Sequence, residues 1–170
     1  MKLIVDAFGG DNAPLEIIKG CELAVKEYGY EIVLVGDEEK IRDCTNNNNV
    51  SLQNMEIVHA TETISMEDHP DCILKEKKDS SMAKGMQLLA SGEGDAFVTA
   101  GSTGAAVIGS TFLVKRIKGV KRAALATILP NDDGGSFMVL DVGANVECRP
   151  EVLGQFGLMG SEYMKSFLNI

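Results

Sequence analysis

The chain has 170 residues, 45% hydrophobic and 24% charged, which is enough apolar material for a core without disulfide staples. Its net charge of −9 argues against a general nucleic-acid binder, whose affinity for the phosphate backbone needs concentrated Lys and Arg. Glycine is abundant at 18 residues, while aromatics amount to six Phe, three Tyr and no Trp, a composition suited to close packing of helices on a sheet.

In chain order, Lys2–Val5 predicts a short buried strand running into the glycine turn Asp6-Ala7-Phe8-Gly9-Gly10-Asp11. Pro14 then opens a helix with Asp11 or Asn12 as its capping residue, and Ile17, Ile18, Cys21, Ala24, Val25 and Tyr28 share one face of it. Glu31–Val35 predicts a second strand, broken at Gly36-Asp37 into a short helix through Ile41. Asn46–Asn49 reads as a polar loop, Met55–Val58 as a third strand, and Thr61–Pro70 as a long connection. After the charged segment Lys75–Asp79, Ser80-Ser81 leads a helix with Met82, Met86, Leu89 and Ala90 on one side.

Asp95–Thr99 predicts a fourth strand that ends in Ala100-Gly101-Ser102-Thr103-Gly104. The helix expected next, Ala105–Arg116, is apolar or small all round until its basic end, the pattern of a buried helix. Ala123–Leu129 and Phe137–Leu140 are further strands joined by the turn Asn131–Gly135, too short for a crossover and so antiparallel. Asp141-Val142-Gly143-Ala144-Asn145 closes the last strand. A final helix begins near Pro150, with Gly154, Gly157 and Gly160 forming a smooth seam. Alternating buried strands and helices predict an α/β fold with a mostly parallel sheet covered on both faces. The chain stops inside an amphipathic helix, from which a partner segment downstream is expected.

Four cysteines, Cys21, Cys44, Cys72 and Cys148, form no C-x-x-C pair, and only His59 and His69 are available beside them. No metal site is expected, and the thiols read as those of a protein in a reducing cytosol. Leu3–Val5 is too short for a signal-peptide core, and no run approaches the roughly 18 apolar residues of a membrane span. A cytoplasmic protein is the expectation.

Three glycine turns follow strands, and in an open α/β sheet ligands bind outside the carboxyl ends of strands. Gly101–Gly104 is the strongest candidate: glycine lets the backbone approach a ligand, and Ser102 and Thr103 add hydroxyls. Equally, any strand-to-helix turn needs glycine and a Ser/Thr cap. Asp6, Asp11 and Asp141 sit at strand ends, either to hold a metal or substrate hydroxyl or to cap turns. His69 reads as an ordinary loop residue. The basic residues Lys115, Arg116, Lys118, Lys121 and Arg122 either greet an acidic partner or complement a helix C-terminus. No Gly-Lys dipeptide exists, which removes a Walker A loop, and Gly92-Glu93-Gly94 lacks the third glycine of a dinucleotide fingerprint.

Five segments in order carry a resemblance: Asp6–Pro14 (DAFGGDNAP), Lys78–Met82 (KDSSM), Thr99–Ala105 (TAGSTGA), Leu140–Asn145 (LDVGAN) and Gln155–Gly160 (QFGLMG). Together they resemble the motifs of the phosphate acyltransferase (PlsX) family. Phe8 stands where that family has methionine, Ser102 where it has asparagine, and Lys75 where it has arginine. The resemblance implies a three-layer α/β/α sandwich similar to the isopropylmalate dehydrogenase and phosphotransacetylase group. It implies that residues 1–170 are the N-terminal α/β portion of an enzyme about twice as long. The implied activity moves a fatty acyl group from acyl carrier protein to inorganic phosphate, giving acyl phosphate for phospholipid synthesis.

Phosphate is its own nucleophile and the leaving group is a thiolate, so no Ser-His-Asp set and no cofactor are expected. On this reading Ser102, Thr103, Asp141 and Asn145 are the catalytic candidates. Asp6, Gly9, Gly10, Asp11, Ser81, Gly101, Gly104 and Gly143 are the phosphate- and substrate-binding candidates. Lys115, Arg116, Lys121 and Arg122 are the candidate contacts for the carrier protein. A homodimer is expected, with peripheral membrane contact through the half beyond these residues. Competing readings are a nicotinamide-dependent dehydrogenase of the related fold and a non-catalytic acyl-carrier or membrane scaffold.

Overall fold

Runs of Ile, Val and Leu bounded by glycine or charged residues become the strands of a parallel sheet. A computed structural model describes residues 1–169. Strands β1 (Lys2–Asp6), β2 (Glu31–Gly36), β3 (Met55–His59) and β4 (Ala96–Val98) lie in the order β3-β2-β1-β4, all parallel. Because neighbouring side chains on a strand point to opposite faces, the register sorts the core. Leu3 pairs with Ile32 and Val5 with Leu34 on one face, Ile4 with Val33 and Asp6 with Val35 on the other.

The first face packs with Ile18 and Cys21 of helix α1 (Leu15–Tyr28) and Ile41 of helix α2 (Glu38–Asn48). The second face carries Ile4, Val33 and Val35 against Leu88 and Leu89 of helix α3 (Ser81–Ala90). Helices therefore cover both faces, giving the sandwich expected. Each fully buried Ile, Leu or Val contributes about 1.5–3 kcal/mol, whereas exposed helical ion pairs such as Glu16–Lys19 contribute about 0.5 kcal/mol or less. The apolar layers, not the surface charges, hold this architecture.

Helix ends show where local chemistry departs from expectation. Neither Asp11 nor Asn12 caps α1 with its side chain; Pro14 occupies the cap position, and the Asn12 carbonyl accepts from the Glu16 amide at 3.2 Å. Helix α2 runs seven residues past Ile41, through Asn46–Asn48, which the sequence reads as a loop. Asp37 caps its first turn, Ile41 and Thr45 anchor its buried side, and Asn49 ends it at φ 54°, a left-handed conformation that Asn tolerates.

A 3₁₀ turn, Pro70–Leu74, precedes α3, whose cap is Ser80 accepting from the Ala83 amide. Helix α4 (Thr103–Gly109) continues as a π-helical turn, Ser110–Lys115. It is not buried all round: Ala105 and Gly109 face Ile73 and Met86, while Phe112 is 61% exposed. Its apolar composition reflects one close-packed side and one open side.

By its contacts the chain divides into Met1–Lys115 and a second unit from Arg116. The second unit holds an antiparallel hairpin, β5 (Ala126–Pro130) and β6 (Ser136–Leu140), and helix α5 (Pro150–Tyr163) anchored by Val152 and Phe156. The hairpin forms a sheet of its own. On α5, Gly160 lies near Met138 and Leu140, whereas Gly154 and Gly157 face open space. No helix among the described residues is long and apolar enough to cross a membrane.

Candidate functional site

The strand order places the leading candidate site in the first unit. Successive connections carry the chain from β1 to β2 to β3, and β4 then returns to the opposite side of β1. The reversal leaves a topological switch point between the carboxyl ends of β1 and β4, the position where ligands bind in open α/β sheets. Two of the three glycine turns emerge there, Gly9-Gly10 after β1 and Gly101–Gly104 after β4.

A short polar relay joins the two turns. Asp6, only 2% exposed, accepts at Oδ2 from the Thr99 hydroxyl (2.8 Å) and at Oδ1 from the Phe8 amide (3.2 Å). The Thr99 oxygen in turn accepts from the Gly101 amide at 3.0 Å. The glycines are required by this closeness. A Cβ on Gly9 would lie 2.6 Å from Asp6 Oδ2 and 2.9 Å from the Gly101 nitrogen, and one on Gly101 would lie 3.2 Å from Gly9 Cα and Met82 Cε. Gly10 has φ +113°, a conformation closed to most side chains. Asp11 stands exposed beyond it.

The two hydroxyls of the second turn part company. Ser102 is 6% exposed and caps α4, accepting from the Ala105 amide at 3.4 Å. Thr103, by contrast, is exposed to solvent. Gly104 admits Pro70, whose Cγ would lie 2.8 Å from a Cβ there. Ser81, 1% exposed, begins α3 and donates its amide to the Glu62 carbonyl at 3.0 Å. The next side chain, Met82, packs under Gly101, so the Lys78–Met82 segment supports the turn from below.

The connection from Thr61 to Asp79 is fixed by carboxylates. Asp79 accepts from the Thr61 hydroxyl and pairs with Lys84 (2.6 Å); these partners hold its carboxyl down to about 2. Asp68 accepts from Lys77 (2.6 Å) and from the Ser65 amide and hydroxyl, which bring it to about 2 as well. His69 pairs with Asp71, as does Lys75.

The third turn belongs to the second unit, after β6. Burial raises the Asp141 carboxyl, but the Asn145 side-chain amide and the backbone amides of Leu125, Ala144 and Asn145 outweigh it and bring the group to about 2. Those four donors lie at 2.7–3.1 Å and wrap the loop around the carboxylate, with Gly143 at φ +125° allowing the chain to turn back. Asn145 also donates to the Ala123 carbonyl and accepts from Arg122 at 3.3 Å. Of the remaining basic candidates, Lys115, Arg116 and Lys121 are exposed, and Arg116 donates to the Lys121 carbonyl.

The structure thus brings Asp6, Gly9, Gly10, Gly101, Gly104 and Thr103 to one rim, with Ser81 behind it. Asp141, Gly143 and Asn145 form a separate organised loop. Sequence reasoning missed Thr99, the hinge of the relay; a hydroxyl at the end of the strand beside Asp6 was the available signal. Among the described residues no group of three His, Cys, Asp or Glu is placed to hold a metal.

The layer order and switch point define an α/β fold of the phosphotransacetylase kind. A phosphotransacetylase from Streptococcus pyogenes superposes with TM-score 0.72 at 16% identity, covering 97% of this chain and 54% of its own. The EutD phosphotransacetylase from Staphylococcus aureus gives 0.71 at 17% identity, covering 98% and 53%. Sequence narrows the class: the chain belongs to the family described as fatty acid synthesis protein, whose model matches residues 1–170. Relatives named phosphate acyltransferase include those of Pelotomaculum thermopropionicum, 48% identical, and Acetivibrio thermocellus, 46% identical. Each match covers 100% of this chain but 49% and 50% of the relative, so the chain spans about half their length.

Proposed function

We propose that the chain is the N-terminal portion of an acyltransferase that moves a fatty acyl group from acyl carrier protein to inorganic phosphate. The carrying observation is the pair of glycine turns locked together at the switch point, with exposed Thr103 beside them. A phosphate oxygen attacks the thioester carbonyl, the carbon–oxygen bond forms, and the carbon–sulfur bond breaks. The products are acyl phosphate, which feeds phospholipid synthesis, and the carrier's thiolate. A thiolate, with a reference pKa of about 8.5, leaves without a strong general acid. The protein's tasks are to hold phosphate against the carbonyl and to stabilise the oxyanion, which the Ser102–Gly104 amides and Thr103 suit, the Gly101 amide being engaged by Thr99.

In this scheme Asp6 and Thr99 position the turn, Ser102 shapes it, and Asp141 with Asn145 orders a second loop of the enzyme. Lys115, Arg116, Lys121 and Arg122 meet the acidic carrier protein. The full enzyme is a cytoplasmic homodimer with peripheral membrane contact outside these residues, and the 170-residue portion alone is inactive.

Acyl phosphate production from acyl carrier protein and phosphate, measured for the full-length enzyme beside this portion, tests the reading. Thr103→Val in the full-length enzyme is expected to lower turnover about 10- to 100-fold with the melting temperature preserved. Unchanged kinetics would remove Thr103 from the site, and absence of acyl phosphate from the full-length enzyme would overturn the function.

A further inference from the structure

Three cations converge on one concave surface of the second unit. Lys121, Arg122 and Arg149 line a cavity of about 280 Å³ together with Glu151 and Val152. The ion pairs of the described residues engage Lys2, Lys19, Lys26, Lys40, Arg42, His69, Lys75, Lys77, Lys84 and Lys165, and none of these three. What sets these three apart is that they share one concavity, in which Glu151 is the one carboxylate of the lining.

The cavity is also braced. Gln155 of α5 accepts from the Lys121 amide at 3.0 Å and donates to the Gly119 carbonyl at 2.9 Å, tying the basic loop to the helix. Arg122 donates through Nη1 to Asn145 Oδ1 (3.3 Å) and the Glu147 carbonyl (3.4 Å), which orients the guanidinium. Its Nε and Nη2 have no acceptor among the described residues. An arginine fork held on one edge presents the other to a planar pair of oxygens. A second guanidinium and an ammonium beside it suit a dianion better than a single carboxylate. The pocket is open to solvent, and Glu151 on its wall suits a compact anion better than a long polyanion.

We propose that this cavity binds a phosphate group, either free or at the end of an ester, as a site additional to the glycine rim of the parallel sheet. The anion bridges Arg122 and Arg149 with Lys121 completing its charge. Because Arg122 is bonded to Asn145, occupancy is felt by the Asp141–Asn145 loop. The site shares Lys121 and Arg122 with the proposed carrier-protein contact but does not depend on the chemistry of the glycine rim.

The test is a titration of the ²H,¹⁵N-labelled full-length enzyme with inorganic phosphate and, in parallel, with methyl phosphate, against sodium chloride at matched ionic strength. Saturable shifts are expected at the amides of residues 121–123 and 149–152, and not with chloride. Arg149→Gln is expected to weaken binding about 10-fold or more, while Lys118→Gln, outside the cavity, leaves it unchanged. Lys121→Gln repeats the measurement if Arg149→Gln fails to fold. Tighter binding of methyl phosphate identifies an ester as the occupant, and tighter binding of inorganic phosphate identifies the free ion. Shifts confined to residues 101–105 overturn this site while sparing the glycine rim, and shifts confined to residues 121–152 do the reverse. Affinity equal in Arg149→Gln and the parent, or shifts reproduced by chloride, also overturn it.

Discussion

At the residue scale, Asp141 shows how one carboxylate can organise a loop. Four donors reach its two oxygens, and together they outweigh the burial that opposes ionisation. The folded group titrates at about 2, below the unfolded reference of about 3.9. A depressed carboxylate contributes stability that is complete above the unfolded value and disappears as pH falls through the folded one. Asp141→Asn is therefore expected to lower the melting temperature at neutral pH, with the difference from the parent shrinking between pH about 4 and about 2. A difference that stays constant over that window would contradict this account. Asp68 and Asp79, also held to about 2, add to the parent's acid sensitivity but are common to both proteins, so the comparison isolates Asp141.

At the scale of elements, the strands were the most legible part of the chain, because a strand covered on both faces needs an unbroken apolar run and little else does. The hairpin was readable from a connection too short for a crossover. Helix ends were less so. The Asn46–Asn48 run has low helix propensity, yet Asp37 and the buried Ile41–Thr45 side carry α2 through it. The α4 segment is apolar all round because glycine and alanine serve a close contact on one side, which composition alone does not distinguish from full burial. For the candidate site, glycine and aspartate at strand ends marked the rim, but the Asp6–Thr99 pairing depends on which strands become neighbours. Ser102 illustrates the same limit: a hydroxyl in a glycine turn reads as chemistry or as a cap, and only its bond to Ala105 shows what it does. The cap on α3 offers a direct check. Ser80 is fully buried and bonds the Ala83 amide at 3.3 Å, so Ser80→Ala is expected to cost about 1 kcal/mol in denaturant unfolding. A cost near zero would mean that water or another group replaces the cap.

At the scale of the whole molecule, the two units differ in how their backbones are protected. Strand β1 is hydrogen-bonded on both edges within a sheet covered by helices, whereas β5 and β6 have only each other. Two-stranded hairpins are marginal without further packing. Amide hydrogen exchange should accordingly be slowest in β1 and β2 and clearly faster in β5 and β6. Equal protection in all four would show that the hairpin is far better supported than its pairing suggests. The parallel sheet is also the part expected to survive sequence drift. Its requirements are apolar runs and crossover helices rather than particular side chains, in keeping with a shared fold at 16–17% identity.

The bond from Thr99 to Asp6 carries a consequence for the order in which the chain assembles. Its partners are 93 residues apart, and the strand that delivers Thr99 has only three residues, too few to hold a place by themselves. Strands β1, β2 and β3 are joined through nearer connections, whereas β4 pairs with β1 across a far longer stretch of chain. The glycine rim is therefore expected to form after the strands beneath it, which pulse-labelled hydrogen exchange at the Gly101 amide would check. By the same token it is expected to open before the strands beneath it separate, so that the Gly101 amide exchanges faster than those of β1 and β2.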